Sequence, residues 1–158
     1  MKLDVDFLRQ LLPKLPEFAD AGKFSNQLKA VNGYDEATAV VENMRDTAFP
    51  LVLIEDVPTG YIGFNSGYAD RRVTSIWILH KADDLTADAR RKALLKSFEL
   101  GKNVLKLIVY ASIDYEGAEQ WFDNARTQYI PRGPIAQQVF GYEFMINTIE
   151  EIDLSIDE

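Results

Sequence analysis

The stretch Arg71-Arg72-Val73-Thr74-Ser75-Ile76-Trp77-Ile78-Leu79-His80 decides the fold. In an extended chain Val73, Ser75, Trp77 and Leu79 project to one side, and Thr74, Ile76, Ile78 and His80 to the other, because the strand period is two residues. Both sides are apolar at the centre, as an interior strand covered on each face requires. Upstream, Leu51-Val52-Leu53-Ile54 is short, apolar and β-rich, and reads as a second buried strand. Between the two, Val57-Pro58-Thr59-Gly60 is a turn signal, Tyr61-Ile62-Gly63-Phe64 a short strand and Asn65-Ser66-Gly67 a further turn. Strands this close together form an antiparallel meander.

Downstream, Thr86 to about Ser112 predicts the longest helix, capped by Thr86, with Asp88 suited to its positive N-terminal end. Leu94, Phe98, Gly101, Leu105, Ile108 and Ser112 follow helical spacing, with Leu95 and Val109 beside them. Gly101 is expected to weaken this helix by up to ~1 kcal/mol relative to alanine. A second short helix is expected over Ala118 to Ala125, and a loop over Ile130-Pro131-Arg132-Gly133-Pro134. A last, half-buried strand runs from Phe140 to Ile149, with Tyr142, Phe144, Ile146 and Thr148 on one side and Glu143, Met145, Asn147 and Ile149 on a wetter one. At the other end of the chain, Val5 to Leu12 reads as a helix capped by Asp4 and stopped by Pro13 and Pro16. A mixed stretch leads to Gly33, after which Asp35 caps a helix through about Met44. The predicted class is α+β: a mainly antiparallel sheet with a long helix packed on one face, in a single domain over residues 1–158. Residues 1–47 form an N-terminal helical segment, 48–153 the α+β core and 154–158 an acidic tail.

A chain of 158 residues fits one domain and can bury a core without metal or disulfide. The absence of cysteine removes disulfides, thiolate metal sites and cysteine nucleophiles. A net charge of −8 opposes binding to a phosphate backbone, so no specific nucleic-acid binding is expected. The acidic start Met1-Lys2-Leu3-Asp4-Val5-Asp6 is unlike a secretory signal, and no apolar run nears the ~18 residues of a membrane span.

Residues that carry chemistry are sparse. The single histidine, His80, cannot build a His-rich metal site, and no Gly-x-Ser-x-Gly elbow surrounds a serine. Asp83, Asp84 and Asp88, like Glu55-Asp56, are carboxylate sets that can hold a divalent metal, but they equally suit a helix N-terminus and a solvated turn. Gly60, Gly63 and Gly67 make neither nucleotide-binding glycine signature. The reading is therefore a non-enzyme with no cofactor and no metal.

Charge is distributed unevenly. The long helix carries Arg90, Arg91, Lys92, Lys96, Lys102 and Lys106 against Asp88 and Glu99, while Glu150, Glu151, Asp153, Asp157 and Glu158 crowd the other end of an acidic chain. This is either a solvated helix and tail or a head-to-tail contact between copies, which charge reversal at Arg91 and Lys92 would weaken. Tyr115, Trp121, Phe122, Tyr129 and Phe140 load a loop-rich region with aromatics, which suits an interface and a core equally.

Three segments carry a resemblance: Phe49-Pro50-Leu51-Val52-Leu53-Ile54-Glu55; Tyr68-Ala69-Asp70-Arg71-Arg72-Val73; and Gly133-Pro134-Ile135 leading to Phe140-Gly141-Tyr142-Glu143-Phe144. With the N-terminal and long helices, this layout resembles the phage tail-terminator, tail-completion and neck-ring (head–tail connector) proteins over residues 48–153. The resemblance implies a homo-oligomeric ring in the virion, assembled in the host cytoplasm beside other neck or tail proteins. Its acidity would let DNA pass without sticking. Interface candidates are Tyr61, Tyr68, Arg71 and Arg72 on the hairpin, Arg90, Arg91, Lys92 and Lys96 on the helix, and Glu150, Glu151 and Asp153 near the end. The alternatives are a small acidic adaptor or immunity-type binding protein, and a divalent-metal hydrolase using Asp83, Asp84 or Glu55.

Overall fold

The structure, a computed structural model, describes residues 3–44, 48–63, 69–113 and 122–151. Strand β3 (Ala69–Lys81) is central. It pairs antiparallel with β2 (Leu51–Gly63) on one side and with β5 (Val139–Glu151) on the other. The outer strands are β1 (Leu28–Ala30), parallel to β2, and β4 (Phe122–Ile135), antiparallel to β5, giving the order β1-β2-β3-β5-β4. The described chain is thus α+β.

The two-sided alternation of β3 makes two cores. Ile76 and Ile78 join Val52, Ile54, Phe144 and Ile146 beneath helices α1 (Val5–Leu11) and α4 (Ala87–Ile113). Trp77 and Leu79 join Leu51, Leu53, Ile135 and Val139 beneath α3 (Tyr34–Glu42). Leu8 and Leu12 are fully buried, each stabilising the fold by ~1.5–3 kcal/mol. Asp4 caps α1 as expected, its Oδ1 accepting from the Phe7 N–H at 2.9 Å.

The N-terminal segment also contributes a strand. Two 3₁₀ turns, Leu12–Lys14 and Pro16–Phe18, and the short α2 (Ala21–Phe24) lead into β1. Fully buried Gln27 donates through Nε2 to the Glu17 and Pro50 carbonyls at 3.2 and 3.1 Å, fastening this segment to the start of β2. Three residues of β1 are too few to leave a periodic signal. Helix α3 begins one residue before Asp35, behind Gly33 at φ 87, with Asp35 and Glu36 in its first turn. Glu36 Oε2 reaches back to accept from the Asn32 N–H at 2.8 Å, so the side-chain cap comes from inside the helix.

Several expected boundaries move. Val57–Gly60 is not a turn. β2 continues through an irregularity between Glu55 and Thr59, and Tyr61–Gly63 is its far end, not a separate strand. Pro58 is tolerated because it falls in that irregularity, where the ladder to β3 is interrupted, and because among the described residues β1 stops opposite Ile54. Residues 130–134 are not a loop but part of β4, whose outer edge likewise accepts Pro131. The expected helix over 118–125 is strand from Phe122 onward, and its first four residues, 118–121, lie outside the described residues. So do the turn at 65–67, Phe64, Tyr115, Trp121 and the tail 154–158.

Helix α4 covers one face of the sheet, but its buried stripe is rotated from the one expected. Ala93, Ser97, Leu100, Gly101, Val104, Ile108 and Ser112 are buried, Leu94, Phe98 and Leu105 flank them, and Leu95 is 53% exposed. Small residues on that stripe bring the helix close to Phe140 and Phe144. Thr86 caps it through Oγ1, accepting from the Ala89 N–H at 3.2 Å. Among the described residues no helix is long and apolar enough to cross a membrane.

Candidate assembly interface

The far half of the β2–β3 pair is an arm. β1 ends opposite Ile54, so from Glu55 outward β2 has β3 on one side and, among the described residues, no strand on the other. Its outer N–H and C=O groups are free to pair with added backbone. The arm exposes large apolar side chains on both faces, beside charged cross-strand neighbours. Tyr61, in register with Arg71 and Ile149, is 66% exposed; Ile62, in register with Asp70 and Glu150 on the opposite face, is 50% exposed. Val57 and Val73 add to this surface. The face of the sheet that α3 leaves uncovered continues it as a hollow of ≈ 690 Å³ lined by Val73, Thr127, Gln128, Met145 and Asn147.

Strand register brings Tyr61, Arg71, Arg72, Glu150 and Glu151 to one end of the sheet. Arg72 is paired with Asp70, whereas exposed Arg71 has no ion pair among the described residues. Tyr68 and Asp153 lie outside the described residues. The cations in the first half of α4, Arg90 to Lys96, sit toward the other end. The turn carrying Lys96 lies over His80 and Phe140, because Ser97 Oγ is 2.7 Å from His80 Nδ1 and 3.4 Å from the Phe140 carbonyl. Arg90 stacks on the Phe140 ring at 5.6 Å, Lys92 pairs with Asp88 at 3.1 Å, and Lys102 pairs with Glu99 at 2.8 Å while lying over Phe98. That leaves Arg91, Lys96 and Lys106 without an ion pair among the described residues. Leu95 and Tyr110 are exposed on the same outer face.

The carboxylate sets do not form a metal centre among the described residues. Asp84 Oδ1 accepts from the Thr86 N–H at 2.8 Å, and hydrogen bonds from Thr86 hold its carboxyl below the usual range. It is a turn-forming acid ahead of α4.

Sequence reasoning missed the polar groups that the sheet buries. Glu143 is 6% exposed, on the side expected to be wet, and pairs with Arg132 at 3.0 Å. The Arg132 guanidinium lies 5.3 Å from the centre of the Trp77 ring. The signal was the alternation itself, which puts Glu143 in the same row as Trp77. Its partner stood in an expected loop. His80 is also more enclosed than a strand-end histidine need be: burial first, and the Lys96 charge second, lower its pKa from 6.5 to about 4. A lowered folded-state pKa favours neutral imidazole, so stability is lost as pH falls from 6.5 toward about 4, where the unfolded chain takes the proton first. The expected loss is about 2 kcal/mol, allowing for the ring's partial access to water. Urea titrations at pH 7 and pH 4 should show the pH-dependent loss reduced by that amount in His80→Gln; an unchanged difference refutes it.

No protein-family model matches the chain, and no curated protein matches it in sequence.

Proposed function

We propose that this chain is a structural subunit of a phage virion neck or tail, a head–tail connector or tail terminator that works by assembling into a ring and has no chemistry of its own. The observation that carries the self-assembly reading is the arm: a strand edge without a partner beyond Ile54 among the described residues, with large apolar side chains exposed on both faces. A monomer has no use for a two-sided apolar projection, whereas a neighbour that adds backbone to the edge and side chains to both faces buries all of it. The resemblance over residues 48–153 supplies the virion context. Uneven charge supplies direction, because unlike surfaces at opposite ends of the sheet favour a head-to-tail contact over a two-fold one.

The test is native mass across a concentration series, by light scattering after gel filtration, with electron microscopy of any large species. A closed ring of many copies is expected. Ile62→Lys and Tyr61→Lys should each weaken association by roughly tenfold, because a charge on the arm must be desolvated in the contact. A one-to-one complex with a different protein, the chain alone staying monomeric at every concentration, would favour the adaptor reading and overturn this one.

A further inference from the structure

We propose that the acidic, aliphatic segment 152–158 of one copy docks on the outer N-terminal half of α4 of a neighbouring copy, along Arg91, Leu95 and Lys96. This deepens the self-assembly reading and rests on it.

The receiving surface is distinguished by what its neighbours already do. Lys92 and Lys102 are satisfied within the helix, and Arg90 lies on an aromatic ring. Arg91 and Lys96 have no ion pair among the described residues, and between them Leu95 is 53% exposed. Beside Leu95 and Lys96 runs a groove of ≈ 460 Å³ with Leu100 and His80 in its lining. Glu99 and Glu17 also line it, but Glu99 is held by Lys102. The carboxylate of Glu17 turns an acidic ligand away from its own wall and toward the helix cations.

The segment Ile152-Asp153-Leu154-Ser155-Ile156-Asp157-Glu158 complements this surface residue type for residue type. Ile152, Leu154 and Ile156 alternate with polar or acidic positions, so an extended chain presents aliphatics to one side and acids to the other. Aliphatics match Leu95 and the Leu100 lining; acids match Arg91 and Lys96.

Geometry makes the contact intermolecular. Glu151 is in register with Ala69 at one end of β3, whereas Phe140 is in register with His80 at the other, beneath the turn that carries Lys96. The strand between Phe140 and Glu151 spans roughly 37 Å at ~3.4 Å per residue. Residues 152–158, fully extended, reach at most ~25 Å from Glu151. The acids therefore fall short of Lys96 and Arg91 in their own chain and meet those of the next copy. A contact between two different surfaces repeats from copy to copy and closes into a ring when its rotation allows.

The experiment is charge exchange on the full chain, read as the association constant from concentration-dependent native mass at low and at high salt. Arg91→Glu with Lys96→Glu, and separately Asp153→Lys with Asp157→Lys, should each weaken association by roughly tenfold or more at low salt and far less at high salt. Combining all four substitutions in one chain should restore it. All the substituted groups are exposed or lie beyond Glu151, and an unchanged melting temperature confirms that the fold is intact. Wild-type association constants in both double variants, or no recovery in the combined one, overturn this inference while leaving the assembly reading standing. A wild type that stays monomeric at every concentration ends the assembly reading itself.

Discussion

Replacing Gly141 by alanine is expected to cost about 4 kcal/mol of folding free energy, which places it among the exceptional single substitutions. Gly141 lies in β5, paired with Leu79 of β3 on one side and Arg132 of β4 on the other. A Cβ there would overlap the carbonyl oxygen of Ile78 and crowd the Leu79 Cα. Those are backbone atoms of the central strand, fixed by ladders on both edges, so no rotamer change relieves the overlap. The strands must separate locally, and Leu79 and Ile78, each fully buried in a different core, separate with them. Guanidinium titration should show the midpoint falling with the slope unchanged. A loss under ~1 kcal/mol would mean that β5 can bend away from β3 at this row.

The second large effect has the opposite sign to the one helix propensity gives. Alanine for glycine inside a helix ordinarily stabilises by up to ~1 kcal/mol. In Gly101→Ala, however, the new methyl would fall on Cε2 and Cζ of the Phe144 ring. That ring is 2% exposed and stacks on Phe98 at 6.5 Å, with Tyr142 and Tyr129 at 6.3 and 6.2 Å, so it has no space to yield. The helix must rise from the sheet, separating the layer that Val104 and Ile108 complete. A net loss of about 3 kcal/mol is expected. Phe144→Leu provides the check: in that background the cost of Gly101→Ala should shrink by about half, a coupling that a double-mutant cycle measures directly. Equal costs in both backgrounds would place the fault in the helix backbone and not in the ring.

Gly101 also shows where sequence reading reached its limit. The long helix, its Thr86 cap and its amphipathic period were legible, yet half of the expected stripe, Leu94, Phe98 and Leu105, only flanks the buried one. Gly101, Ile108 and Ser112 of the expected stripe are buried, but packing turned it from Leu94, Phe98 and Leu105 toward Ala93, Ser97, Leu100 and Val104, because Ala93, Ser97 and Gly101 allow closer approach to Phe140 and Phe144 than leucine would. A hydrophobicity pattern cannot see a contact made by the absence of a side chain. The alternation of β3 was readable because both faces are apolar at its centre, and that of β5 because one apolar face alternates with a more polar one over many residues. Proline misled at Pro58 and Pro131: each signals a turn locally, and only the sheet order shows that each lies on an outer edge. The β4–β5 turn hid in another way, since Ala136 and Gln137 take positive φ values of 49° and 74° that Asn-Gly would normally announce. Of the interface candidates, the hairpin and helix cations were chosen by charge alone. Which cations are satisfied within the helix became visible only when Asp88 and Glu99 had positions.

The place of β3 between β2 and β5 has a consequence for how the chain is made. Its first neighbour precedes it on the ribosome, but its second follows only after α4 and β4, and the pairing joins residues as far apart as Ala69 and Glu151. At ~5–20 residues per second, translation from Lys81 to Val139 takes roughly 3–12 s. For that interval the central strand of the sheet has one edge bare, and α4, already synthesised, has only part of a sheet on which to rest. Nascent chains are thus exposed to wrong pairing during that window. An N-terminal fragment ending after α4 would carry that window permanently, because the strand that covers the second edge of β3 lies beyond the cut.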